Sequence, residues 1–398
     1  MYDLIVVGAG YAGCVSARRF AEEKNGRVLV LDKKQHIGGA IYDYYNESGI
    51  LVHKYGPHIS VMKEKRAYDF LSRFTAWIPY HHYVHAMIDG VEVPLPINFT
   101  SIDLLFPLEK ALRLKELLTE EYGFGSNVAV LEMLRCRQPE IQAFAQYIYE
   151  KVFLHYTMKM WDLKPDEIDP SVTARIPIRL SYDDRHFQHP FQVMPRDGFT
   201  VLIEHMLDHP GITVQLGQDA CRCLSLDEQQ HKIRFDGEVF DGPVIYTGAI
   251  DALFSYEYGE LPYRSLRFEH LTYSKDYVQD SAVQNWPDER PATRRTEMKR
   301  LTQQKKEGAT SVVIEYPGAY VRGDADFGEP LYPIARPENK ALYERYAARA
   351  AQFPQLFPTG RLADYRYYNM EDTVIQSLEV MDRVLKKGTV FSPPAGKD

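Results

Sequence analysis

Residues 2–39 constrain this chain more tightly than any other stretch. Tyr2-Asp-Leu-Ile-Val-Val7 is a short apolar run with β-branched residues, the pattern of a buried strand. It runs into Gly8-Ala-Gly10-Tyr-Ala-Gly13 and then into the helix-like Cys14-Val-Ser-Ala-Arg-Arg-Phe20. A second apolar run, Arg27-Val-Leu-Val-Leu31, ends in Asp32. Strand, glycine turn, helix, strand and acid in this order form the dinucleotide-binding fingerprint in its full context. Gly8 permits the tight turn, Gly10 lets backbone approach a pyrophosphate, and Gly13 lets helix and strand pack closely. The helix start then faces the phosphates with unpaired N–H groups and its positive dipole end. Asp32 is placed to accept hydrogen bonds from an adenosine ribose. A second glycine pair, Gly38-Gly39, comes directly after in His36-Ile37-Gly38-Gly39-Ala40. Such a pair is typical of flavin-binding Rossmann proteins, so FAD is favoured over NAD.

The 398 residues are enough for two or three domains around substantial cores. A net charge of −8 leaves no basic footprint for nucleic acid. No apolar run reaches the roughly 18 residues needed to span a membrane. The chain enters its first strand directly, without a leader pattern. Cys14, Cys136, Cys221 and Cys223 form no CxxC pair and no metal-like cluster. Together these features predict a reduced, cytoplasmic protein without a structural metal.

The expected fold is α/β: a Rossmann-like FAD-binding domain with a helical insertion domain and an antiparallel sheet domain. Residues 1–75 form the FAD-binding segment. Residues 76–100 form a sheet hairpin, with Tyr83–Ile88 and Val91–Val93 joined by the turn Asp89-Gly90. Leucines at helical spacing from Leu104 to Leu118, and the patterns 128–135 and 141–153, predict a helical domain over 101–178. Residues 179–245 return through sheet to the FAD domain, with a strand pair at 180–195, a helix after Gly198, and strands at 212–216 and 233–240. Residues 246–390 hold a sheet domain and the last amphipathic helix, Glu371–Leu385. Residues 391–398 read as a disordered tail.

Arginines with neighbouring tyrosines recur late in the chain. Arg175 comes after Tyr156 and Trp161, Arg294 sits in Ala292-Thr-Arg-Arg-Thr-Glu297, and Arg361 sits in Gly360-Arg-Leu-Ala-Asp-Tyr-Arg-Tyr367. Guanidinium groups match phosphate oxygens bidentately, and aromatic faces stack on bases.

At these residues the sequence resembles the bacterial UDP-galactopyranose mutases over nearly its whole length. The resemblance rests on His36-Ile-Gly-Gly39, Val52-His-Lys-Tyr-Gly-Pro-His58, Leu95-Pro-Ile-Asn98, Tyr156-Thr-Met-Lys-Met-Trp161, Arg175-Ile-Pro-Ile-Arg179 and Tyr182-Asp-Asp184. It continues through Phe191-Gln-Val-Met-Pro195, Tyr246-Thr-Gly-Ala-Ile-Asp251, Leu261-Pro-Tyr-Arg-Ser-Leu266, Thr293-Arg294, Glu315-Tyr316, Tyr332-Pro-Ile334, Gly360-Arg-Leu362 and Tyr365-Arg-Tyr367. It implies a redox-neutral exchange of a nucleotide sugar between pyranose and furanose forms, with N5 of reduced flavin as nucleophile at the anomeric carbon. It implies FAD, active when reduced, an external reductant such as NAD(P)H, a nucleotide-sugar substrate and a homodimer.

Position by position, the resemblance makes Arg175 and Arg294 holders of the two phosphates and sets His58 beside the flavin ring. It sets Phe153, Tyr156 and Trp161 around the base, and Tyr316 and Tyr367 on the diphosphate. Gly8, Gly10, Gly13, Asp32, Gly38, Gly39, Gly248, Arg361 and Met370 are implied for FAD. Several positions depart from the family's pattern. Ser60-Val61-Met62 replaces its Phe-His-Thr, His82 an asparagine, His186 a tyrosine, Asn369 an aspartate, and Val152 a phenylalanine. These positions line the expected substrate side, which makes His82, His186 and Asn369 substrate-binding candidates. The two histidines add groups able to gain charge below about pH 6.5. The same chemistry on UDP-N-acetylgalactosamine, dTDP-fucose or another nucleotide sugar is the first alternative. A flavin amine oxidase-like oxidoreductase and an inactive nucleotide-sugar binder are the others.

Overall fold

The computed structural model describes residues 2–161 and 177–386; Arg175 and the expected tail at 391–398 lie outside the described residues. The first strand, Leu4–Val7, pairs in parallel with Val28–Asp32 on one side and Val244–Tyr246 on the other. Ile212–Leu216 and Leu356–Pro358 extend this parallel sheet to five strands. Leu4, Ile5, Val28, Leu29 and Val30 are wholly buried, because helices and loops cover both faces of the sheet. Strand order turns outward from Leu4–Val7 in both directions, so its carboxyl end is the point at which such sheets bind ligands.

A seven-stranded sheet stands beside it, in the order Tyr332–Pro333, Tyr263–Tyr273, Thr310–Ala319, Arg294–Glu297, Val283–Asn285, Val84–Ile88, Val91–Leu95. The predicted hairpin is therefore an edge of this larger sheet. Asp89 and Gly90, at φ +48° and +85°, make its turn, as the Asp-Gly pair predicts. The hairpin joins by a parallel pairing of Val84–Ala86 with Val283–Asn285, some 200 residues away in the chain. No local pattern announces such a pairing.

The helical part packs Phe99–Leu105, Leu108–Tyr122, Val130–Met133 and Pro139–Ile148 around Leu114, Leu118, Ile141 and Phe144. After Ile148 the helix widens into a π-helical segment, Tyr149–Leu154, and then resumes as His155–Trp161. A π turn holds about one extra residue, which rotates the resumed helix by about 100°.

Two expected strands differ. The pair expected over 180–195 is one strand, Phe191–Pro195, between Ser60–Met62 and Trp77–Pro79. The strand expected over 233–240 is a hairpin, Lys232–Phe235 and Glu238–Phe240, broken where Asp236 and Gly237 adopt positive φ.

Candidate active site

The glycine turn sits at the carboxyl end of Leu4–Val7. Gly8 has φ +105°, and a Cβ there would fall 2.0 Å from Thr247 Oγ1, which donates to Val7 O. A Cβ on Gly13 would strike Gly8 O at 1.8 Å. Gly10 and Gly39 face each other backbone to backbone: a Cβ on Gly39 would lie 3.0 Å from Gly10 Cα. The Gly38 N–H donates to Ala9 O and ties the second glycine pair to the first. The helix Tyr11–Lys24 starts at Gly10 with no side-chain cap, so its first N–H groups are left for an anion. This cradle, in which Gly8, Gly13 and Gly39 leave no room for a Cβ, fits the pyrophosphate of a dinucleotide.

Asp32 has a structural task here as well. Its carboxylate accepts from Ala9 N at 2.7 Å and from Lys34 N at 2.8 Å, locking the turn against the second strand. A carboxylate carries about four lone-pair positions, so capacity remains for a ribose hydroxyl. Gly248 has a local reason to be glycine, since a Cβ would meet the Tyr246 hydroxyl at 2.8 Å. Met370 is the first residue of the helix Met370–Leu385. Asn369 caps that helix: its side chain accepts from Asp372 N, and Asp372 accepts from Asn369 N. Asparagine and aspartate cap equally well, so the cap survives while one negative charge is absent.

The polar cluster centres on Arg294. Its Nε donates to Glu315 Oε1 at 2.7 Å, and the Glu315 side chain is 1% exposed. Strand register sets this pair, since Arg294 lies directly opposite Glu315. Burial is the largest influence and works against the Arg294 charge, but Glu315, with Tyr156 and Tyr332, drives the pKa upward. Tyr156 and Tyr332 lie within electrostatic reach of Arg294. Burial raises the pKa of both phenols, Tyr332 to about 12, although Arg294 pulls each down. The Arg361 guanidinium stands 5.2 Å from the Tyr332 ring and 5.2 Å from the Tyr367 ring. Its fork donates to Leu331 O and Tyr368 O, so Arg361 sets both tyrosines in place.

Three histidines adjoin the cluster. Burial pushes His58 down to about 3 and His186 down to about 4, and it lowers His82 as well. His82 and His186 are therefore neutral where their ordinary values would have them titrate, which corrects the expectation of charge gained near pH 6.5. Nδ1 of His58 contacts Gly56 O at 2.9 Å, and Nδ1 of His186 contacts Leu95 O at 3.1 Å. A carbonyl only accepts, so each neutral ring carries its proton on Nδ1 and presents a bare Nε2 lone pair. The His82 and His186 rings meet edge to face at 5.8 Å, and Tyr80 hydroxyl holds His82 Nδ1.

Two expected substrate contacts fall elsewhere. Tyr316 is next to Glu315 in the same strand, so its side chain points to the opposite face. There its hydroxyl donates to Glu269 and Arg267 stacks on its ring. Tyr332, which carried no expected substrate role, stands within electrostatic reach of Arg294 instead. Phe153 is buried in the helical core. Trp161 ends the described helix, next to the segment that contains Arg175. Tyr332 and Glu315 both stand in stretches that resemble the family, but only the strand register sets Glu315 opposite Arg294.

A family model described as UDP-galactopyranose mutase matches residues 151–367, and one described as an NAD(P)-binding Rossmann-like domain matches 6–74. The chain is 33% identical over 389 residues to UDP-galactopyranose mutase of Mycoplasma pneumoniae, covering 97% of this chain and 96% of that protein. It is 30% identical over 388 residues to dTDP-fucopyranose mutase of Escherichia coli, covering 97% and 99%. A crystal structure of reduced UDP-galactopyranose mutase shares the fold with a TM-score of 0.69 at 16% identity, over 98% of this chain and 96% of that one. Among the described residues no helix is long and apolar enough to cross a membrane.

Proposed function

The chain belongs to the UDP-galactopyranose mutase family, and from that premise we propose that the Arg294 cluster receives the diphosphate of its nucleotide sugar. The activity is a flavin-dependent, redox-neutral interconversion of pyranose and furanose forms, so the enzyme is an isomerase. The observation that carries the site assignment is the buried Glu315 holding Arg294 charged between Tyr156 and Tyr332.

Gly8, Gly10, Gly13, Gly38 and Gly39 fit the pyrophosphate of FAD, Asp32 its ribose, and His58 and Arg361 the ring side. When bound and reduced, the flavin supplies the electron-rich nitrogen needed at the anomeric carbon. The chain's own residues do the rest. Arg294, fixed by Glu315, stabilises the negative charge that develops as the diphosphate departs. Tyr156 and Tyr332, whose phenols burial keeps protonated, donate to phosphate oxygens, and Tyr367 donates beside them. The bare Nε2 atoms of His58 and His186 accept from sugar hydroxyls. FAD in the reduced state, an external reductant such as NAD(P)H, a homodimer and a cytoplasmic setting complete the proposal.

A second reading concerns the substrate. The pair His82–His186 stands where the family pattern has asparagine and tyrosine, and Asn369 removes a charge near the cluster. Sites built on specific hydrogen bonds reject ligands that leave them unpaired. These positions favour a differently substituted hexose or another base, and the E. coli relative is named for dTDP-fucopyranose. The test offers UDP-galactopyranose, UDP-N-acetylgalactosamine and dTDP-fucopyranose to dithionite-reduced and to oxidised protein. Conversion to a furanose by reduced protein alone is expected. Equal conversion in both flavin states refutes the role given to reduced flavin. Clear preference for UDP-galactopyranose refutes the second reading.

A further inference from the structure

Lys159 lies one turn beyond Tyr156 on the helix His155–Trp161. Its ammonium donates to three backbone carbonyls: Trp286 O at 2.5 Å, Arg290 O at 3.0 Å and Ala292 O at 3.1 Å. These carbonyls belong to the loop joining Val283–Asn285 to Arg294–Glu297. An ammonium has three N–H donors, and here each meets an acceptor. The loop is closed around this point. Trp286 N donates to Thr293 O, Arg290 pairs with Asp288, and the Arg290 guanidinium covers the Trp286 ring. Ala292 is two residues from Arg294.

The helix end is fixed from a second direction. Arg264, 5% exposed on the strand Tyr263–Tyr273, donates to Met160 O at 2.8 Å and to Lys159 O at 3.2 Å. Both carbonyls belong to the last described turn of that helix. The helix carrying Tyr156 is thus anchored to one strand through Arg264 and to the Arg294 loop through Lys159.

We propose that Lys159 is a positioning residue for the mutase reaction: its ammonium, seated in the three-carbonyl loop, holds Arg294 at working distance from Tyr156. The proposal rests on the assignment of Arg294 to the diphosphate. Burial also pulls the Lys159 ammonium down to about 8. The charged groups facing it are Asp288, which sustains the charge, and Arg290, which opposes it; Arg264 contacts its carbonyl and not its ammonium. Below pH 8 all three contacts are made. Above it the neutral amine keeps two donors for three carbonyls.

The experiment uses flavin-loaded full-length protein, with UDP and dTDP as binding probes and calorimetry as readout between pH 6.5 and 9. Parent, Lys159→Met, Lys159→Arg, Lys159→Ala and Arg294→Ala are compared. Lys159→Met is expected to weaken binding of the preferred nucleotide about tenfold at pH 7 with flavin content intact. Lys159→Arg should not restore it, because a planar fork cannot serve three converging carbonyls. Propylammonium added to Lys159→Ala should recover part of the loss, a result that general destabilisation does not give. The parent should bind less well as pH passes 8, and Lys159→Met should lose that step. Parent-like affinity for Lys159→Met, or an unchanged step, overturns the proposal. If Arg294→Ala also binds like the parent, the diphosphate assignment falls with it; if only Arg294→Ala weakens binding, the clamp alone is refuted.

Discussion

Replacing Glu315 by glutamine isolates what the buried pair contributes. The change keeps the side-chain volume and an oxygen within reach of Arg294 Nε, and it removes one charge. Taking away one partner of a fully buried ion pair costs about 3–5 kcal/mol. Here the Arg294 side chain is 28% exposed, so solvent screens part of the stranded charge. The retained amide oxygen preserves a hydrogen bond worth about 1 kcal/mol. Together these bring the expected loss to about 2 kcal/mol in the ligand-free protein. A nucleoside diphosphate changes the balance, because its anion on Arg294 replaces the missing counter-charge. Glu315→Gln should therefore melt below the parent without ligand, and a fixed concentration of UDP should raise its Tm by more than it raises the parent's. Thermal unfolding with and without UDP measures both quantities. A variant with the parent's midpoint, or with an unchanged UDP shift, would show that Glu315 does not act as the counter-ion of Arg294.

Gly10→Val should give folded, colourless protein: a Cβ at Gly10 meets Gly39 Cα at an ordinary 3.7 Å, so the backbone tolerates it while the cradle is filled. An unchanged flavin absorbance spectrum would place the cofactor elsewhere. The buried histidines should make stability fall with acid. Their folded pKa values lie below the ordinary value of about 6.5, so the unfolded chain binds more protons from about pH 6.5 down to about 4 for His186 and about 3 for His58. Stability is therefore complete above pH 6.5 and declines as pH drops through that window. Each such histidine contributes a slope of up to about 1.4 kcal/mol per pH unit. His186→Phe should flatten the acid limb of a urea-denaturation series, and an identical slope would mean that His186 is charged in the folded protein.

The parts of this protein legible in the sequence are those governed by contacts between near neighbours. Gly13 answers to the Gly8 carbonyl five residues before it, Gly8 to the positive φ of the turn, and Asp89-Gly90 to the φ values of a two-residue turn. The alternation of strand and helix around them comes from side-chain periodicity over a few residues. Family resemblance then picked out Arg294, Tyr156 and Tyr367, which the fold brings to one cluster. The hidden parts depend on which distant strands meet and with which face. Tyr316 and Glu315 are adjacent in the chain, yet pleating sends one to Glu269 and the other to Arg294. Tyr332 reaches the cluster only because its strand edges the sheet of Arg294. Phe153 is withdrawn into the helical core. The neutrality of His82 and His186 comes from burial, and composition carries no record of burial. Sequence sets the local conformations because their energies are decided within a few residues. The charge states and partners of the site were decided by tertiary packing, since desolvation and opposing charges arise only once strands far apart in the chain lie side by side.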